Sequence, residues 1–305
     1  MINVQSLTKK YGDVVAVDNV SFNLSEGEII GLLGPNGAGK TTILRILTSF
    51  LEPTYGLVQI NDLNLDNAEN KLKTRKIVGY LPESSPLYEN MKVEEYLRFV
   101  AVMHGLKEKE IAQRLLMVAE KCGLRDKMDD EISVLSKGYK QRVGLAQALI
   151  HNPKILIMDE PTSGLDPKQR IEIRDLIKEI SKDKTIILSS HILPEVQATC
   201  SRMLIINKGK IIADGTPEEL ESAEGGLDTV IVVLEEMKEN LPYKIRHILG
   251  VEDVQILGRK LEIKVRKGED LRPAISRAVA QEGGLLLELT KKSSSLEDIF
   301  LKLTE

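Results

Sequence analysis

The sequence predicts an α/β protein in which a mainly parallel sheet is covered by helices, followed by a smaller α+β domain. Three observations carry this. Short, largely apolar runs (Ile29–Leu33, Ile77–Leu81, Ile155–Met158 and Thr185–Leu188) alternate with stretches of helical periodicity. The loops that carry reactive residue types follow the carboxyl ends of those runs, where open α/β sheets keep their sites. After Ser222–Gly226, which reads as a linker, a second succession of strands and helices begins.

In chain order, Ile2–Leu7, Val14–Val17 and Val20–Leu24 read as strands, with Gly12-Asp13 and Ser25–Gly27 as turns and Tyr11 in the first turn. Ile29–Leu33 is a short buried strand, and Ile43–Leu47 opens a helix after a glycine-rich loop. Leu57–Ile60 is a strand; residues 64–76 are polar and weakly patterned. From about 90 to 150, apolar residues recur at helical spacing (Val93, Tyr96, Leu97, Val100; then Ile111, Leu115, Val118, Ala119), predicting a helical subdomain. Pro167–Ser181 reads as a helix capped by Asp166, and His191 lies just past the strand at Thr185–Leu188. Met203–Ile206 and Lys210–Ala213 form a hairpin. The tail reads strand 228–234, helix 239–249, strands 252–257 and 260–266, helix 270–282, strand 284–289 and a last helix from Leu296 to Leu303. That βαββαβ order predicts a ferredoxin-like domain. The expected division is therefore 1–222, a linker at 223–227 and 228–305.

Composition narrows the function classes. A net charge of −4 and a pI near 5.8 argue against a nucleic-acid partner. Two cysteines, Cys122 and Cys200, are too few for a disulfide framework. No run of 18 apolar residues is present, so the chain is not expected to span a membrane.

The chemistry starts at Gly34-Pro35-Asn36-Gly37-Ala38-Gly39-Lys40-Thr41-Thr42, which fits the phosphate-binding loop G-x-x-x-x-G-K-[ST]. Its glycines let the backbone curl around a polyanion with N–H groups pointing inward. The helix that follows offers unpaired N–H groups and the positive end of its dipole. Lys40 brings a full charge to the outer phosphates, and the Thr41 hydroxyl is placed to ligate Mg²⁺. Hydrolysis further needs an acid near the metal and a base for water. Asp159-Glu160, at the end of an apolar strand, supplies both: Asp159 for the metal, Glu160 for the attacking water.

With these motifs in order, residues 1 to about 220 resemble the ATP-binding subunits of ABC transporters. Gly34–Thr42 is similar to Walker A, Ile155–Glu160 to Walker B, and Ser163–Asp166 to the D-loop. The resemblance implies a P-loop NTPase: a RecA-like core with an antiparallel β subdomain and a helical subdomain. It gives His191 the role of γ-phosphate sensor and Tyr11 that of the aromatic stacked on adenine. Leu135–Gln141 stands where the signature lies, with Ser136 and Gly138 reaching ATP held by the opposite subunit. Ser136 is also the expected cap of a helix over Tyr139–Ile150. A head-to-tail dimer, homodimeric or heterodimeric, would sandwich two Mg-ATP and drive a separate polytopic permease from the cytoplasmic face of the membrane.

Two departures stand out. The signature reads Ser136-Lys137-Gly138-Tyr139-Lys140-Gln141 instead of L-S-G-G-Q, which leaves the glutamine contacts open. Glu83 stands where the family carries the glutamine that touches Mg²⁺ and couples to the permease; a carboxylate ligates Mg²⁺ at least as well. Both variants, with the tail Ser295–Leu301, resemble ABC-2-type exporters of the antibiotic-resistance and gliding-motility group. The competing readings are a soluble ABC-type ATPase acting on ribosome or DNA, and a monomeric P-loop kinase.

Overall fold

The computed structural model describes residues 1–223, 228–266, 268–292 and 296–304. Residues 224–227 of the expected linker and Ser295 of the tail lie outside them. The chain forms two compact units, Met1–Thr216 and Pro217–Glu305.

In the first unit, β1 (Ile2–Tyr11), β2 (Val14–Leu24), β4 (Tyr55–Ile60) and β5 (Leu63–Asn64) form an antiparallel sheet in the order β2-β1-β4-β5. The three strands read at the N-terminus are thus two, and Tyr11 ends β1, paired with Val14, instead of sitting in the turn. The central sheet has the order β10-β9-β3-β8-β7-β6. It comprises β3 (Ile29–Leu33), β6 (Val78–Leu81), β7 (Ile155–Met158), β8 (Thr185–Ser190), β9 (Arg202–Asn207) and β10 (Lys210–Gly215). All its pairings are parallel except the β9–β10 hairpin. Every residue of β7 and β8 is buried. That explains why Ile155–Met158 and Ile186–Leu188 are continuous apolar runs rather than alternating ones.

Helix α1 (Lys40–Leu47) follows β3 directly, and Ile43, Leu44, Ile46 and Leu47 sink into a core shared with β1, β2 and β3. Helix α2 (Ala68–Ile77) occupies the segment that looked unpatterned and takes Ile77 from the expected strand. It buries only Thr74 and is started by the Asn67 side chain, which accepts from Asn70 N at 2.9 Å. The helical subdomain is α3 (Val93–Met103), α4 (Glu108–Lys121) and α5 (Lys137–Leu149), within the expected span. Glu95 and Glu110 turn back to accept from the N–H groups of Lys92 and Lys107, starting α3 and α4. Ser136 caps α5, its Oγ accepting from Tyr139 N at 3.4 Å. Asp166 caps α6 (Pro167–Ser181), accepting from Gln169 N at 2.9 Å, and α7 (Leu193–Thr199) follows His191.

The second unit starts earlier than the expected division after 222. Its first helix, α8 (Pro217–Ala223), packs on the last, α11 (Leu296–Thr304), with Leu220, Leu296 and Ile299 buried. Between them run β11 (Asp228–Leu234), α9 (Leu241–Arg246), β12 (Val251–Leu257), β13 (Lys260–Val265), α10 (Arg272–Gln281) and β14 (Leu286–Lys292). This is the βαββαβ succession, in an antiparallel sheet ordered β12-β13-β11-β14. Alternate residues of β11 and β13 meet Leu241, Ile245, Ile275 and Val279 of the two helices in one core. Helix α9 is shorter than the 239–249 expected: Pro242 sits in its first turn and its C-cap falls at His247.

Candidate active site

The loop 34–39 needs its glycines for stated reasons. At Gly34 a Cβ would lie 2.2 Å from the Ile206 carbonyl oxygen, and at Gly39 it would lie 2.5 Å from that of Ala16. Gly37 and Gly39 have φ of +81° and +106°, where a Cβ is disfavoured. With Gly39 as N-cap, no side chain satisfies the first N–H groups of α1. Backbone N–H groups at a helix start are an anion site.

Lys40 is buried and donates to the carbonyls of Gly34 and Pro35 at 2.7 and 3.2 Å. Its Nζ is 3.3 Å from Glu160 Oε1, an oxygen with no hydrogen-bond partner. The other oxygen, Glu160 Oε2, is 2.9 Å from His191 Nδ1. One carboxylate, at the end of β7, thus faces a lysine from α1 and a histidine from the end of β8. Asp159 next to it is 1% exposed, and its Oδ1 accepts from Ser189 Oγ at 2.6 Å. The same hydroxyl accepts from Glu160 N at 2.9 Å, so Ser189 holds both acids at once. Burial, with the charge of Asp159 adding to it, pushes the Tyr80 phenol on β6 up from its ordinary range.

A cleft of about 400 Å³ opens over these groups. Its wall brings together Asn36, Gly37, Ala38, Gly39, Lys40, Thr41, Thr42, Glu83, Glu160 and His191, with Ala16 and Ser163 added. The size suits a nucleotide, and the groups fit its charge: a lysine and the N–H groups at the start of α1, with the Thr41 hydroxyl and Glu83 in the same wall. Several expected residues are elsewhere. Gly34 and Pro35 act through the carbonyls that hold Lys40, and Asp159 is buried against Ser189 outside the wall. Tyr11 stands outside it too, half exposed, with Lys9 Nζ 5.3 Å from its ring centroid. Ser136 and Gly138 line a different cleft, of about 280 Å³, with Tyr139, Arg142, Gln169 and Glu172. Asp166 serves as the cap of α6.

The turn after Glu160 is held from three helices. Gln141 Nε2 on α5 donates to the Pro161 carbonyl at 2.8 Å; Thr162 Oγ1 donates to Glu195 Oε2 on α7 at 2.5 Å; Arg170 Nε on α6 donates to the Leu165 carbonyl at 2.9 Å. Lys137, the unusual signature residue, lays its ammonium over Gly164: a Cβ there would meet Nζ at 1.9 Å. Sequence reasoning did not single out Ser189 or Glu195, and it placed Gln141 in the signature without its partner, since each pairs with residues 20 or more positions away.

Comparison with known proteins agrees with this geometry. Residues 17–163 match the family model described as ABC transporter. The linearmycin resistance ATP-binding protein LnrL of Bacillus subtilis is 34% identical over 100% of this chain and 98% of its own. The Nod factor export ATP-binding protein I of Cupriavidus metallidurans is 35% identical, covering 100% and 97%. Among solved structures, the ATP-binding cassette MJ0796, a dimer in a post-hydrolysis state bound to ADP and Pi, aligns with a TM-score of 0.65. It has 26% identity and covers 71% of this chain and 98% of its own. With full-length relatives at this identity and a complete phosphate site, the chain belongs to the ATP-binding subunits of ABC transporters and is an ATPase.

Proposed function

We propose that this chain powers an ABC-2-type exporter as a head-to-tail dimer that closes around two Mg-ATP and drives a separate polytopic permease. The observation that carries the dimer is the separation of Ser136 and Gly138 from the cleft that holds Lys40 and Glu160. A second copy would bring its Ser136, at the N-terminus of α5, to the γ-phosphate that Lys40 holds. The names of relatives that match over the whole length, one in resistance and one in export, support the direction of transport.

Within the site, Lys40 and the N–H groups of α1 bind the phosphates. Thr41 and Glu83, which share the cleft wall, would hold Mg²⁺, with Asp159 behind them acting through a water; the metal's charge would offset that of the phosphate oxygens. Glu160 takes a proton from the attacking water, and His191, bonded to its Oε2, orients it.

Among the described residues no helix is long and apolar enough to cross a membrane. A groove of about 790 Å³, walled by Arg45, Arg75, Pro82, Ser84, Pro86, Gln147 and His151 among others, supports a docking place for the permease on the inner face. It borders the Glu83–Tyr88 segment, and Tyr88 packs on Tyr96 and Phe99 of α3 with centroids 5.8 and 5.7 Å apart. Motion of the helical subdomain would therefore be felt there.

The test is a pull-down of tagged Glu160→Gln protein from detergent-solubilised cells with ATP and Mg²⁺. A polytopic membrane protein is expected. Ribosomal or DNA-associated proteins in its place would favour a soluble ATPase and sink the exporter reading.

A further inference from the structure

Glu160 sits in a backbone conformation that side chains avoid, with φ at +47°. Such a residue stays put only where its surroundings over-determine it. Before it, Ser189 Oγ accepts from its N–H at 2.9 Å. Its carbonyl accepts from Ser163 N at 3.0 Å. After it comes Pro161, which has no N–H to offer. The only polar backbone group of that residue is its carbonyl, and Gln141 Nε2 holds it at 2.8 Å, away from water. Gln141 is 7% exposed. Lys137, one helical turn earlier on the same face of α5, lies over Gly164. Two side chains of one helix thus overlie the turn from 161 to 164.

The geometry points to Gln141 as a positioning residue for hydrolysis at Glu160 of its own chain. By fixing the Pro161 carbonyl it holds the peptide one residue past Glu160, and together with Ser163 N on the Glu160 carbonyl it keeps the turn that directs the carboxylate toward Lys40 and His191. Because α5 begins at Ser136, the same hydrogen bond ties the surface that meets a second copy to the base in the same chain. This rests on the reading of Glu160 as base and of the head-to-tail dimer.

The experiment uses full-length chain, with Gln141→Met and, as a second apolar change that removes the donor, Gln141→Leu. ATP hydrolysis should fall about tenfold in kcat, the scale for losing one buried hydrogen bond and misplacing a reacting group. Equilibrium affinity for ATP should stay unchanged. Mixed dimers carrying two different tags then locate the effect. When Gln141→Met is paired with Glu160→Gln, the working Glu160 shares a chain with the altered residue. Turnover should then drop about tenfold below wild type paired with Glu160→Gln. With both substitutions in one chain opposite wild type, the rate should match that reference. The reverse pattern overturns the proposal, as does an unchanged kcat. A parallel loss of ATP affinity in both variants marks a merely structural role and overturns it too. Turnover by Glu160→Gln homodimers would instead sink the assignment of the base, whatever Gln141 does.

Discussion

Ser189→Ala tests the way the two acids are held. The hydroxyl is fully buried and bridges Asp159 Oδ1 and Glu160 N at 2.6 and 2.9 Å. Its removal strands a buried N–H, which costs about 1–3 kcal/mol, and deletes a charge-assisted bond of about 1.5–3 kcal/mol. Alanine leaves little space for a replacing water, so a net loss of about 3 kcal/mol is expected for the Met1–Thr216 unit. In a unit of that size this lowers the melting midpoint by about 6–12 °C. Differential scanning calorimetry on the full chain reads it directly. ATP hydrolysis should drop as well, because Glu160 loses the bond that fixes its strained backbone. A midpoint within about 2 °C of wild type, with turnover intact, would refute the reasoning.

Other outcomes are equally concrete. Gly39→Ala should abolish ATP binding in a filter or fluorescence assay, since the new Cβ would lie 2.5 Å from the Ala16 carbonyl at a φ of +106°. Measurable affinity close to wild type would mean that the loop has another conformation. Burial, with His104 stacked 3.8 Å away, pushes His151 down to about 4. The unfolded chain therefore binds that proton first. Stability from His151 is complete above about pH 6.5 and is lost as pH falls toward 4, by up to about 3 kcal/mol. Urea titrations at pH 7 and 5 should show a smaller difference in His151→Leu than in wild type; equal differences would count against it. Burial pushes the Cys122 thiol up to about 12 and raises that of Cys200 as well. Neither should alkylate at pH 8 without denaturant, and fast labelling of the folded chain, read by mass spectrometry, would contradict their burial.

What the sequence made legible was local. The phosphate loop could be read because Gly34, Gly39, Lys40 and Thr41 sit within eight positions, and their spacing is itself the geometry. The acids at Asp159-Glu160 could be read because two adjacent carboxylates directly follow a continuous apolar strand, although the structure buries both. Helix α2 stayed hidden because its one buried residue, Thr74, gives no apolar stripe, and Asn67 starts it. The break at Thr216 stayed hidden because α8 finds its partner, α11, some 80 residues later. Ser189 and Glu195, and the partner of Gln141, were invisible for the same reason: a hydrogen-bond partner far along the chain leaves no periodicity. Of the expected site, the residues of the loop converged with Glu83, Glu160 and His191, while Ser136 and Gly138 line another cleft.

The complete burial of β7 and β8 has a consequence for the timescales of the molecule. Backbone amides in such strands exchange with solvent only when a large part of the fold opens, whereas loops open on their own at little cost. Glu160 is the first residue beyond β7 but one, and its amide is tied to a side chain of β8. It should therefore share the slow exchange of the sheet, while the exposed Gly37 in the wall of the same cleft should exchange with the fast population. The site is thus a seam between two clocks: the phosphates meet backbone that can adapt in microseconds, and the water meets a base whose surroundings hold still until the sheet itself comes apart.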